Sequence, residues 1–202
     1  MIKSLNLKFG NAPNFPPVSV LTTPITVFVG PNNSGKSKVL AEINRFCTTG
    51  NTDPSDVIVD KIDFEPFHPE VVEEKIRQVT LKPNPGEFIQ PDCVLVGKRG
   101  GRTQVAKKQL IDLLLNPHSQ TSQFCQWYLT YNTLILDGRN RINLVNQQNG
   151  GDLQQSPQTS FQVLFRDDSK RNEVRRIINE AFGLYFVIDP TNLGQLSVEC
   201  HN

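Results

Sequence analysis

No two cysteines of this chain lie close enough to form a C-x-x-C motif. Cys47, Cys93, Cys125 and Cys200 are scattered, which argues against a dithiol redox site or a metal knuckle. Buried or inert thiols in a reducing compartment are the expectation. The three histidines, His68, His118 and His201, form no H-E-x-x-H, so no zinc-protease helix is in view. The chain also lacks excess charge of either sign. Its net charge is +1, so no global field draws it onto nucleic acid or a membrane, and any such binding needs a local patch. No apolar run reaches the ~18 residues that a membrane span needs. Lys3 near the N-terminus is followed by no apolar stretch of the kind a signal peptide carries. A cytoplasmic chain without a membrane segment is expected.

What is present is one strong motif. Gly30-Pro31-Asn32-Asn33-Ser34-Gly35-Lys36-Ser37 fits G-x-x-x-x-G-K-[ST], the phosphate-binding loop pattern. Ile25-Thr26-Val27-Phe28-Val29 before it is β-branched and aromatic, and reads as a buried strand. Val39, Leu40, Ile43, Phe46 and Cys47 after it have the spacing of an amphipathic helix. Glycine lets the backbone curl around phosphates, and the N–H groups at a helix start favour anions. Residues 30–38, Lys38 included, are the expected nucleotide contacts. Lys36 is the catalytic candidate, placed to reach the β- and γ-phosphates, and Ser37 would offer its hydroxyl to Mg²⁺. ATP and Mg²⁺ are the expected cofactors, and ATP is preferred over GTP because no Asn-Lys-x-Asp guanine-reading motif occurs.

The length of 202 residues allows one domain or a domain with an added lobe. Ile2, Leu5, Leu7 and Phe9 suggest an opening strand, and residues 10–24, with four prolines, a loop or sheet edge. Short strands are expected at Val57–Val59, Ile62–Phe64 and Cys93–Val96. Pro69 opens a helix through Val79, and residues 103–115 predict another, closed by Asn116-Pro117. Lys98-Arg99-Gly100-Gly101-Arg102 reads as a basic loop. It offers a grip on phosphates, but a solvated loop is preferred. Phe124 to Val145 reads as strand-rich, with a hairpin turn at Asp137-Gly138. Residues 146–160 form a polar, Gln-rich loop. Val174, Ile177, Ile178, Ala181 and Phe182 make one helical stripe ended by Gly183, opposite Lys170, Arg171, Arg175 and Arg176. Those four could contact DNA, though a solvated face is preferred. Leu184–Ile188 and Gln195–Cys200 close the chain as strands.

The stretch from Ile25 to Phe46, with Asn32-Asn33 inside the loop and Leu40-x-x-Ile43 after it, resembles the ABC-type AAA ATPases of the OLD and RecF-like group, relatives of SMC and Rad50 proteins. Residues 133–196 are similar to the middle of bacterial ATP-binding proteins of that kind. The resemblance implies an α/β P-loop NTPase with an ABC-ATPase-like mixed sheet, an antiparallel β-subdomain and a partial helical lobe. On that reading residues 1–202 are the N-terminal portion of such a domain. Residues 1–50 hold the opening strand, P-loop strand and helix, 51–145 an inserted α/β region with a hairpin, and 146–202 the start of the helical lobe and a terminal strand pair. It also implies a nucleotide-dependent homodimer with ATP between protomers, DNA or an effector protein as further partners, and a setting in DNA repair or anti-phage defence.

The family pattern is not complete here. Asp137 and Asp189 each follow an apolar run, as a Walker B aspartate does, but Gly138 and Pro190 stand where the catalytic Glu belongs. No Leu-Ser-Gly-Gly-Gln signature or switch histidine is seen. Gln147 or Gln148 could sense metal, though several glutamines compete for one role. Phe9 or Phe15 could stack on adenine. The alternatives to an ATPase module are a nucleotide-sensing module without turnover and the ATP-binding subunit of an ABC transporter.

Overall fold

A computed structural model describes residues 1–10, 14–98, 101–137, 157, 159–189 and 197–201. The chain is a mixed α/β protein with separate β-sheets and helices, and it divides into two units. The first comprises Met1–Thr80, Ile89–Gly97 and Thr103–Ile135; the second comprises Leu81–Phe88, Lys98–Arg102 and Leu136–Asn202.

The first unit opens with β1 (Ile2–Leu7), the middle strand of an antiparallel sheet in the order β2–β1–β3, with β2 at Val18–Leu21 and β3 at Val59–Phe64. The register places Leu5 between Val20 and Ile62. A shift in pairing between Ile2 and Ser4 adds a residue to β1, which lets Ile2 and Leu5 reach the same core despite their odd spacing. On the opposite face Ser4 Oγ and Asn6 Nδ2 donate to Asp63 Oδ2 at 3.1 and 2.8 Å. Lys61 lies 2.8 Å from the other carboxylate oxygen. Lys61 first, then Asn6 and Ser4, hold the Asp63 carboxyl down to about 2.

Helix α1 (Lys36–Thr49) follows the motif, and α2 (Pro69–Val79) starts on its proline. Strands β4 (Cys93–Lys98) and β5 (Gly101–Ala106) pair, and α3 (Lys107–Leu115) follows directly. The helix expected from residue 103 therefore begins later, because pairing with β4 claims residues 101–106. For the same reason Gly101 and Arg102 are strand rather than loop.

The largest correction lies at Phe124–Asn132, the first part of the stretch expected to be strand-rich. Helix α4 (Thr121–Phe124) runs into a π-helical turn (Cys125–Leu129) and a last helical turn, α5 (Thr130–Asn132). The Thr130 N–H reaches back to the Cys125 carbonyl, five residues away. Phe124, Cys125, Tyr128 and Leu129 are all buried, a helical spacing. Packing overrides the strand preference of Trp127, Tyr128 and Thr130. The core is built on aromatics: Phe64 lies 6.2 Å from Phe46 and 5.2 Å from Phe124, which stacks on Tyr128 at 5.7 Å. Cys47 and Cys125 are free thiols in this core, and burial pushes both up to about 12. Burial, expected of the cysteines from the sequence, holds for these two, while Cys93 is half-buried.

In the second unit, α6 (Ser160–Arg166) is started by a capping box between Thr159 and Gln162. Ser160, expected at the end of the polar loop, therefore opens a helix instead, and residues 146–156 and 158 lie outside the described residues. Asp167 caps α7 (Asp168–Phe182) by accepting the Lys170 N–H at 3.0 Å, and Gly183 ends it in a left-handed conformation, φ 68°. Strands β6 (Tyr185–Asp189) and β7 (Ser197–His201) pair antiparallel. Phe186 and Ile188 are buried against Phe161, Leu164, Phe165, Val174 and Ile178. Ile177 and Phe182, expected in the same stripe, are exposed. Among the described residues, no helix is long and apolar enough to cross a membrane.

Candidate phosphate site

The motif forms a turn that closes on its own lysine. Pro31 O accepts the Ser34 N–H at 3.3 Å. The Lys36 ammonium folds back over the loop, 2.7 Å from Gly30 O, 2.5 Å from Pro31 O and 3.3 Å from Ser34 Oγ. Asn33 and Gly35 take left-handed backbone angles, φ 62° and 87°. Backbone turns of this kind can gather N–H groups into an anion nest. Gly35 is the N-cap of α1 and no side chain caps that end. The positive end of the helix faces the loop without an acidic residue in its first turn. Glycine has a steric reason at both ends: a Cβ on Gly30 would lie 2.6 Å from Ser34 Oγ, and one on Gly35 3.1 Å from Ile58 Cδ1.

Of the expected contacts, Gly30 to Ser37 form this loop and helix start, with Pro31, Asn32, Asn33, Ser34 and Ser37 exposed. Lys38 turns elsewhere, 3.6 Å from Glu42 and 3.5 Å from Ser55 O. The strand expected before the loop is not found. Ile25, Val27 and Val29 are 81, 72 and 85 % exposed. Phe28 alone leans on the core. No backbone bond pairs residues 26–29 with a described neighbour. The β-branched run has the composition of a strand, but a strand needs a partner for its backbone groups. Upstream, the Thr23 and Thr26 side chains close a local turn, with Thr23 Oγ1 donating to Ile25 O at 2.6 Å.

The sequence reading missed Glu42. It sits between Val39 and Phe46 in the buried stripe of α1 and is 1 % exposed. Its carboxylate accepts the N–H groups of Val57, Ile58 and Val59 at 3.0, 3.0 and 2.7 Å. Burial alone would raise this carboxyl, but the three donors and Lys38 hold it below its ordinary range. The available signal was an acid in an otherwise apolar stripe. Three residues along, Arg45 pairs with Asp56 at 2.8 Å and Asp53 at 3.5 Å.

The remaining candidates are dispersed. Asp137 and Asp189 both belong to the second unit, and Asp189 ends β6. Gln147, Gln148, Gly138 with the second arm of the expected hairpin, and Pro190 lie outside the described residues, as do Arg99 and Gly100. Phe9 is half-buried and Phe15 exposed. Arg102 is committed to Glu87 at 2.5 Å and Lys82 O at 3.3 Å. The basic residues of α7 are engaged too. Lys170 pairs with Asp167; Arg171 binds Asp168 and the carbonyls of Leu164 and Phe165; Arg176 binds Glu180. Arg175 donates to Phe186 O and lies over its ring. Arg171 and Arg175 thus tie α7 to α6 and β6, while Lys170 and Arg176 make exposed pairs beside or within α7. Among the described residues no cluster of three or more His, Cys, Asp or Glu could hold a metal ion. Compared with protein-family models, curated proteins and solved structures, the chain matches none.

Proposed function

We propose that this chain binds ATP at Gly30–Ser37, as a P-loop NTPase of the ABC-like OLD and RecF group. The observation that supports this is the loop itself: left-handed turns at Asn33 and Gly35, a helix start that no side chain caps, and Lys36 held over the loop by carbonyls it can exchange for phosphate oxygens. The residues present fit a polyphosphate, since the places where a Cβ would crowd the loop are glycine. Mg²⁺ would bind with the nucleotide, with Ser37 supplying one oxygen. ATP hydrolysis would then drive a dimerisation or conformational switch, with nucleotide between two protomers and DNA or an effector protein reading the state, in repair or anti-phage defence.

A second reading, binding without turnover by this chain alone, is favoured by the exposed segment Ile25–Val29. Phosphoryl transfer depends on positioning, and the flank that should brace the loop is unpaired. Titration with a fluorescent ATP analogue and Mg²⁺ tests the shared claim: saturable binding by the wild type, lost in Lys36→Ala, is expected. Equal binding by both would refute it. Phosphate release by the same wild-type sample separates the two readings, and light scattering with a non-hydrolysable analogue tests for the dimer.

A further inference from the structure

We infer that Glu42 is a positioning residue for the phosphate loop, acting through the backbone of Val57–Val59 and the side chain of Ile58. This rests on the nucleotide-site reading above. Lys38, Glu42 and Arg45 lie along one side of α1, at spacings of four and three residues. All three grip the same segment. Lys38 reaches Ser55 O, Glu42 accepts from residues 57–59, and Arg45 pairs with Asp53 and Asp56. A fully buried carboxylate is costly unless its oxygens are satisfied. Here one carboxylate gathers three consecutive N–H groups, which fixes the segment's distance from the helix.

That helix begins at Gly35, and the segment returns to touch it there. Ile58 Cδ1 lies 3.1 Å from where a Cβ on Gly35 would be. Behind it, the Lys8 N–H donates to Ile58 O at 2.8 Å and ties the segment to the end of β1. The left-handed turn at Gly35, where α1 starts, therefore has the Ile58 side chain directly beside it. Ile58 is held in turn by Glu42 and β1. Removing the Glu42 charge frees residues 57–59 to drift and removes the support under Gly35. Misplacing reacting groups by about 1 Å can cost up to about 100-fold in rate, and a shifted loop start weakens phosphate contacts in the same sense.

The test uses the full chain, with Glu42→Gln and Ile58→Ala beside the wild type. Binding of the fluorescent ATP analogue gives Kd, while circular dichroism and thermal melting report folding. Folded variants are expected to bind about tenfold more weakly than wild type. Nucleotide should slow hydrogen exchange at Val57–Val59 in wild type but not in Glu42→Gln, a response that a purely structural role would not produce. Should Glu42→Gln fail to fold, Ile58→Ala decides, because it leaves the carboxylate and its three donors in place. Folded variants with wild-type Kd overturn the inference. A wild type that binds no nucleotide overturns the site reading and this inference with it; a wild type that binds while both variants match it overturns this inference alone.

Discussion

The two flanks of the phosphate loop both carry apolar residues and have opposite fates. After it, α1 buries Val39, Phe46 and Cys47 and is clamped by residues 53–59. Before it, Ile25, Val27 and Val29 stand in solvent. The difference is in the backbone. A helix satisfies its own N–H and C=O groups, so one apolar face against a core is enough to hold it. A strand carries unpaired groups on both edges and needs neighbours to supply them. The described sheet nearest in sequence, β2–β1–β3, takes its third strand from Val59–Phe64 and leaves residues 25–29 out.

The strongest way to sharpen that contrast is to truncate a side chain on the buried flank's core. Phe64 is fully buried and meets both Phe46 and Phe124. Phe64→Ala should cost about 3–5 kcal/mol, the range for large-to-small changes in packed cores. Urea unfolding measures it. A loss below 1 kcal/mol would mean that this aromatic cluster is loose in solution and that the contrast between flanks is overstated.

Intermediate in size is the polar side of the sheet. Asp63→Asn removes a carboxylate whose folded state favours ionisation. The folded carboxyl lies at about 2 and its ordinary value is 3.8, so the stabilisation is present in full above the ordinary value. It is lost as pH falls through about 4 towards 2. Glu42, also lowered, adds to the loss in the same direction. At neutral pH, Asp63→Asn should cost about 1–2 kcal/mol, at or below what a shift of this size implies. Its melting temperature should also fall less between pH 6 and pH 3 than that of the wild type. Parallel pH profiles would remove Asp63 as the cause.

How much of this the sequence disclosed follows from the same physics. The helices α1, α2 and α7 were legible because their periodicity and stops are local: Pro69 at a helix start, Gly50 and Gly183 at helix ends. The phosphate loop was legible as a spacing of glycine, lysine and serine. The turn from Thr121 to Asn132 was not, because Trp127, Tyr128 and Thr130 favour strands in isolation and only burial of Phe124, Cys125, Tyr128 and Leu129 against the rest of the core decides for a helix. Glu42 was hidden for a similar reason. Its partners, Val57–Val59, are backbone donors from a distant segment, and backbone donors leave no mark in sequence.

The smallest effect tests the exposed flank most directly. Val27 is 72 % exposed, and a surface substitution away from special features changes stability by less than about 0.5 kcal/mol. Val27→Thr keeps the β-branched shape while adding a hydroxyl, so the chain's unfolding midpoint should not move. If Val27→Thr instead destabilises by more than about 1 kcal/mol, the segment is covered in solution and the side chain is losing a buried environment. Repeating the measurement across protein concentrations then identifies the cover. A cost that grows with concentration places a second copy on Ile25–Val29, because association contributes to stability by mass action. A cost that does not change with concentration places part of the same chain there. Either result would mean that the segment beside Gly30 is braced in solution and favour turnover over binding alone.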